Sequence, residues 1–245
     1  MENRRCLFLI LLTVAVLVAS SLSVCLAEEG EEVLCLSKDE VLVDGEVVFN
    51  DPELQATLES DTDYSSAESA TAWLAGLQTL SLTNKDHPVT DLSVLQLCGK
   101  LETVVIASDR LNSLEPLTKC AKLSSVTLQE CNTVDLEPLT RCKALKSLTI
   151  LGGTDWDITP VSSMKKLTAL SFTDLDGLNL AEACRAPLLA SIALDGCTTN
   201  YDELPSTKNL KTLSLTGIDL YDTLSLLAAT VKTLNSLTIE DSDTD

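Results

Sequence analysis

Aromatic side chains, histidine and positive charge are all scarce in this 245-residue chain. Aromatics make up 3% of the residues, so the core has to be built from Leu, Val, Ile and Ala. His87 is the single histidine. It lies in the polar loop Asn84–Asp91, reads as an exposed loop residue, and leaves acid–base or triad catalysis little to recruit. No Cys-x-x-Cys occurs among the nine cysteines, so a zinc site has no support. None of the asparagines begins an Asn-x-Ser/Thr triplet, and N-glycosylation is not expected. Lysine and arginine number 17 against 37 acidic residues, a formal charge of −20. Such a surface repels nucleic acid and anionic membrane, and neither is expected as a partner. The chain is not expected to be an enzyme, and no catalytic, cofactor or metal residue is assigned.

The one long apolar run sits at the N-terminus. Arg4 and Arg5 precede Leu7–Ala19, which is broken only by Thr13, and small residues flank Cys25-Leu26-Ala27 ahead of Glu28. This has the three parts of a secretory signal, with cleavage expected after Ala27. Thirteen helical residues span roughly 20 Å, short of the ~30 Å hydrocarbon core. The rival is an uncleaved anchor whose helix runs on to Leu26. Cleavage leaves 15 basic and 36 acidic side chains, a net charge of −21. No membrane insertion is then expected, and the location is secreted or cell-surface. The polar tail Glu240–Asp245 lacks the hydrophobic stretch of a lipid-anchor signal.

Repetition organises the remainder. Leu101-x-x-Val104-x-Ile106, Leu123-x-x-Val126-x-Leu128, Leu145-x-x-Leu148-x-Ile150 and Leu167-x-x-Leu170-x-Phe172 start 22 residues apart. A second register runs through Leu114-Glu115-Pro116-Leu117, Leu136-Glu137-Pro138-Leu139 and Ile158-Thr159-Pro160-Val161. A period in the twenties marks a stacked-coil architecture. The pattern resembles the leucine-rich repeat family, most similar to the short 22-residue class of internalins and the phosphatase-1 regulatory subunit, over about Leu77 to Ile239. That resemblance implies an α/β right-handed leucine-rich-repeat solenoid, with a parallel sheet on the concave face and short helical turns and loops on the convex face. It also implies partner binding by the concave face.

Eight strand starts are expected, at Leu77, Leu101, Leu123, Leu145, Leu167, Leu189, Leu210 and Leu234. The domain organisation is therefore a signal peptide over 1–27, an N-terminal capping region over 28–76 and a solenoid over 77–245. Within the capping region, Val41–Val43 and Glu46–Val48 read as a hairpin around Asp44-Gly45. Asp51–Leu58 reads as a helix with Pro52 in its first turn. Ser65-x-x-Glu68 reads as a capping box ahead of a helical run to Leu74, with Asp61–Ser66 as the loosest joint. The returning arms are expected as helical turns, clearest in Asn179–Arg185 and Thr223–Lys232. One coil cannot bury its apolar face alone, so neighbours must share theirs.

Alternation along each strand assigns the concave face. Its candidate partner-binding residues are Thr79, Ser81, Thr83, Thr103, Ser125, Thr127, Gln129, Ser147, Thr149, Ser171, Thr173, Ser191, Asp195, Thr212, Ser214 and Thr216. Val105, Ala107, Leu151, Ala169, Ala193, Ser236, Thr238 and Glu240 complete the outward set, and 16 of the 24 positions are Ser or Thr. Two readings apply: hydroxyls that tolerate a crowded wet sheet, or a lattice that docks an extended ligand through many weak hydrogen bonds. Charge is sorted between the rims. Lysines and arginines such as Lys100, Lys122, Arg141, Lys143, Lys165 and Lys166 stand where strands start. The strand-exit loops carry the acidic rim of Asp109, Glu130, Asp155, Asp157, Asp174 and Asp176, together with residues such as Asp135, Asp202, Glu203, Asp219 and Asp222. The acids either complement helical N-termini or attract a basic partner. Asp174-x-Asp176-Gly177 resembles part of a calcium loop, but Phe172 and Ala183 stand where its other ligands belong.

Seven cysteines remain after Ala27. Cys98, Cys120 and Cys142 share one register slot with Met164, which marks an apolar position and favours buried thiols, although export permits oxidation. Cys131 and Cys197 take the slot where many members of the resembled family place a loop-tying Asn. The functional expectation is a secreted or cell-surface, non-enzymatic recognition module for a protein or other macromolecule of basic character. The alternative is a structural surface protein that forms a homodimer or larger oligomer through its C-terminal end.

Overall fold

The computed structural model describes residues 38–44, 46–60, 69–132, 134–199, 204, 207–217 and 234–240. The signal segment, Cys35, Gly45, the Ser65–Glu68 box, the Asp61–Ser66 joint, Asp202, Glu203, Asp219, Asp222, the Thr223–Lys232 arm and residues 241–245 lie outside the described residues.

Eight parallel strands form one sheet: β3 (Thr79–Leu82), β4 (Thr103–Ala107), β5 (Ser125–Gln129), β6 (Ser147–Leu151), β7 (Ala169–Thr173), β8 (Ser191–Asp195), β9 (Thr212–Thr216) and β10 (Ser236–Glu240). Spatial order follows chain order. Each strand pairs with the equivalent residues one coil on, as in Ser125↔Ser147, Val126↔Leu148 and Leu128↔Ile150. The architecture is a leucine-rich-repeat solenoid. Strand-start leucines Leu101, Leu123, Leu145, Leu167, Leu189 and Leu210 are all buried, and so are the inward positions Val104, Ile106, Val126, Leu128, Leu148, Ile150, Leu170 and Phe172. One continuous aliphatic cluster runs from Val41 to Leu215.

Most returning arms are tighter than α-helical turns. Ser93–Leu97, Glu115–Lys119, Glu137–Arg141 and Thr159–Ser163 are 3-10 helices, and among the described arms Leu180–Ala183 alone is α-helical. Pro116, Pro138 and Pro160 stand in the first turn, where a missing N–H costs nothing, and five residues suit the short 3-10 form. A polar residue one or two positions before each arm closes it. Asp91, Ser113, Asp135, Asp157 and Asn179, all 22 apart, accept from the main-chain N–H of Ser93, Glu115, Glu137, Thr159 and Ala181 at 2.5–3.1 Å. The Thr118, Thr140 and Ser162 hydroxyls donate back to the carbonyls of Glu115, Glu137 and Thr159.

Residues before β3 cover the first coil. A helix over Lys38–Val41 leads into a hairpin of β1 (Leu42–Val43) and β2 (Glu46–Val47), paired Leu42↔Val47 and Val43↔Glu46. Asp44 has φ +52°, the sign a type I′ turn requires. Val41 closes the helix and does not open the strand, although its carbonyl still accepts from Val48 N–H at 2.8 Å. Helices Pro52–Glu59 and Ala70–Gly76 follow. Ser69 caps the second through Ala72 N–H at 3.2 Å. Leu54, Leu58 and Leu74 extend the solenoid core.

Asp51 fastens this cap to the first arm. Only 3% exposed, its Oδ1 accepts from Glu53 and Leu54 N–H, both at 2.8 Å. Its Oδ2 accepts from Thr90 N–H (2.5 Å), Thr90 Oγ1 (2.8 Å) and Asp91 N–H (3.0 Å). Asn50 Nδ2 donates to Asp91 Oδ2 at 2.6 Å. Burial alone would raise the Asp51 carboxyl, but the bonds from Leu54, Thr90 and Asp91 outweigh it and hold the carboxyl below its ordinary 3.8. The ionised form is thus the one the fold selects.

Asp51→Ala should lower stability by about 2–4 kcal/mol, because it removes a helix cap and strands buried donors. Chemical denaturation checks this. The depressed carboxyl contributes stability that is complete above 3.8 and is lost as pH falls below that value toward the folded one. Asp51→Asn should therefore show a shallower acid-side loss than the wild type.

Candidate functional site

The outward strand positions form one continuous hydroxyl-bearing surface. Thr103, Ser125, Thr127, Gln129, Ser147, Thr149, Ser171, Thr173, Ser191, Ser214 and Thr216 are half-buried, and Thr79, Ser81, Asp195 and Thr212 are exposed. Rungs place like on like, with Thr103 beside Ser125 and Thr127 beside Thr149, which in turn sits beside Ser171. Among the described residues, the hydroxyls of Thr127, Thr149 and Ser171 take no partner within the chain. One assignment changes. Thr83 is exposed but lies beyond the end of β3. Ala107 is buried at 4%, but it stays in register opposite Gln129 and lies outside the core cluster, beside Lys85 and Pro88. Ser108 follows the end of β4, and its buried hydroxyl donates to Val89 carbonyl at 2.6 Å.

The acidic rim is a set of local solutions as well as a field. Asp109, Glu130, Asp155, Asp157, Asp174 and Asp176 are all exposed. Asp157 closes an arm through Thr159, and its hydrogen bonds from Thr159 hold its carboxyl below the ordinary value. Asp176 accepts from Thr198 Oγ1 at 2.8 Å. Glu130 pairs with Lys85 at 2.7 Å, both side chains being well exposed. Such a pair is worth at most about 1 kcal/mol.

Backbone conformation separates the rim acids further. The residue after each of five strands takes positive φ: Glu130 (+52°), Gly152 (+65°), Asp174 (+53°), Gly196 (+57°) and Gly217 (+65°). Glycine suits this left-handed region and other residues reach it at a cost. Glu130 and Asp174 hold acids there, and each leans over a glycine one coil on. Asp174 Oδ1 lies 2.6 Å from where a Cβ on Gly196 would stand, and Glu130 Cγ lies 3.4 Å from that of Gly152. Asp155 adds a third left-handed acid, at φ +58°. The repeat of Gly152, Gly196 and Gly217 with Glu130 and Asp174 is visible in the sequence as a register, and reading strands and arms alone passes over it.

Lys100, Lys119, Lys122, Arg141, Lys143, Lys146, Lys165, Lys166, Lys208 and Lys211 are exposed on the opposite rim. Arg141 pairs with Glu115 of the preceding arm. His87 is 60% exposed, and its Nδ1 lies 3.2 Å from Glu53 Oε1 on the cap helix. Among the described residues, no group of His, Cys, Asp and Glu side chains is arranged to hold a metal ion.

Cys98, Cys120, Cys131, Cys142, Cys184 and Cys197 are buried free thiols. Cys120 donates to Leu95 carbonyl (3.3 Å) and Cys142 to Leu117 carbonyl (3.6 Å), each 25 residues back. They therefore tie one arm to the arm before it. Cys131 bonds Gln129 and Ile106 carbonyls, and Cys197 bonds Asp195 carbonyl, so a thiol does the loop-tying work expected at that slot. Burial, then the neighbouring thiol, pushes Cys98 and Cys120 up to about 12. Burial also takes Cys142 to about 11.

No family model and no curated protein matches the chain by sequence. Among solved structures, the chain is similar to an internalin C2 from Listeria monocytogenes, with 17% identity over 80% of this chain and 88% of that one and a TM-score of 0.55. It is also similar to an internalin F from the same organism, with 16% identity over 78% and 82% and a TM-score of 0.40. The likeness to internalin C2 is one of fold. Among the described residues, no helix is long and apolar enough to cross a membrane.

Two measurements check these assignments. Brief alkylation at about pH 8 should leave Cys98, Cys120 and Cys142 unmodified in the native protein and label them in urea, because the reactive thiolate is suppressed. Native labelling at a free-thiol rate contradicts the buried ladder. Glu130→Gly should raise stability by about 0.5–1 kcal/mol, since relief of left-handed strain exceeds the loss of an exposed ion pair. A lower melting temperature contradicts it.

Proposed function

We propose that the chain is a non-enzymatic recognition module, secreted or displayed at a cell surface, that binds a protein partner across its concave face. The organisation proposed is a signal segment over 1–27, a cap over 28–76 and a repeat domain over 77–245. The observation that carries this reading is the run of in-register hydroxyl rungs. Thr127, Thr149 and Ser171 stand half-exposed at its centre with no partner inside the chain. Internal hydrogen bonding does not account for these groups, and a ligand lying across several strands satisfies many at once. Buried thiols and a histidine engaged by Glu53 leave little for nucleophilic chemistry. The internalin-like fold supports an interaction role.

Electrostatics favour a basic partner. With a net charge of −20, and Asp109, Asp155 and Asp174 exposed along one edge of the sheet, the approach of a basic protein is favoured and oriented.

The test uses residues 28–245 as bait against extracellular proteins, followed by titration of the captured protein. Affinity should fall at least about tenfold between roughly 50 and 500 mM salt, because exposed charges are screened. Thr149→Trp, which fills the middle of the face, should weaken binding by a similar factor. An affinity indifferent to both changes removes the reading.

A further inference from the structure

Among the described residues, the first strand of the sheet has one unpaired side. Gln78 turns its carbonyl toward β4, where it accepts from the N–H of Glu102 (2.8 Å) and Thr103 (3.1 Å). Main-chain groups alternate between the two sides of a strand. The N–H and C=O of Leu80 and Leu82 therefore serve β4, whereas those of Thr79 and Ser81 point away from the sheet. No described strand lies on that side, because β3 ends the order and the β1–β2 hairpin forms a sheet of its own. Among the described residues, nothing bonds to the outward main-chain groups of Thr79 and Ser81. Both residues are exposed.

A cleft of about 490 Å³ runs beside this edge, lined by Thr57, Leu58, Ser60, Trp73, Leu77 and β3 itself. Its walls are the two cap helices. Trp73 and Leu77 are half-buried, and Trp73 is one of only two tryptophans in the chain. Tryptophan supplies more binding energy per residue than most side chains, and here it stands beside open backbone donors and acceptors. None of the lining residues is charged.

The geometry points to strand addition: an extended segment of a protein partner pairs with Thr79 and Ser81 and seats alternate apolar side chains against Trp73 and Leu77. Only a strand complements alternating N–H and C=O groups at this spacing. The segment is neutral to basic, since a chain of charge −20 disfavours an acidic one. This inference rests on the reading of the chain as a protein-recognition module, and it names a place and a backbone conformation that the reading does not.

The probe is a synthetic peptide, Lys-Thr-Val-Thr-Val-Thr-Val-Lys, together with a version N-methylated on alternate residues. In the free protein, the Thr79 and Ser81 amides should exchange with solvent much faster than those of Leu80 and Leu82. Saturating peptide should slow Thr79 and Ser81 by about tenfold or more and leave the Leu80 rate unchanged. The N-methylated peptide that has lost the pairing donors should bind at least about tenfold more weakly. The protein is identical in both arms, so misfolding cannot mimic the result. Slow exchange of Thr79 and Ser81 in the free protein overturns the inference, because the edge is then already covered. So does equal binding of the two peptides, or no binding at about 1 mM. A macromolecular partner whose affinity falls with Thr149→Trp but not with Ser81→Pro leaves the concave-face reading standing and removes this one. Proline is tolerated on an edge strand when the lost N–H faces outward.

Discussion

Every coil depends on its strand meeting the neighbouring strand in register. With a 22-residue step, the leucine at each strand start lies directly over its counterpart. Leu101, Leu123, Leu145 and Leu167 are buried by coils on both sides, which no single repeat could do for itself. The benefit is cooperative, because each coil both covers and is covered. A coil one residue short can be absorbed only where the chain is not paired. The step from Leu189 to Leu210 is 21 residues, yet β8 and β9 pair in unbroken register, Ile192↔Leu213 and Leu194↔Leu215. The missing residue is taken up in the return, not in the sheet.

Stacking turns each good local solution into a ladder. The closing residue of the arms recurs as Asp91, Ser113, Asp135, Asp157 and Asn179, so three kinds of side chain meet one demand, an oxygen two residues ahead of a free N–H. The same logic governs the thiols. Cys120 and Cys142 are apolar enough for the core and still carry a donor, which each spends on the carbonyl of the arm below. Met164 takes the next place without a donor and is equally buried. The slot therefore requires an apolar group, and the hydrogen bond is an addition.

Periodicity made the spine legible in advance. The strands, their inward residues and the Pro52–Glu59 helix follow from spacing and turn chemistry. Less was legible where local geometry competes with a general rule. Four of the described arms are 3-10, three of them with a proline in the first turn, while the four-residue arm Leu180–Ala183 is α-helical, a difference that spacing does not express. Ala107 is buried yet lies outside the core cluster and stays paired with Gln129, beside Lys85 and Pro88 of a loop that alternation does not reveal. The left-handed register was readable only through its glycines. Glu130, a poor occupant of that conformation, conceals it. Of the candidate surface, the hydroxyl rungs could be written down from alternation alone. The open side of β3 could not, since it depends on where the cap helices stop.

The rim acids illustrate how structural and functional demands are told apart. Asp135 and Asp157 each close an arm and would be kept by the fold whatever the chain binds. Asp176 is engaged by Thr198. Counting these as evidence for a basic partner credits recognition with what folding already explains. Asp155 and Asp174 are different: they occupy left-handed backbone, and glycine serves at the equivalent of Asp174 in other coils. Glu130 belongs with them, because its pair with Lys85 is too exposed to offset the strain. A residue in a conformation that glycine fills in other coils, with no internal bond that compensates, is where the proposed recognition has something left to explain. The field that matters for a partner is therefore the part of the rim that stability alone would have replaced.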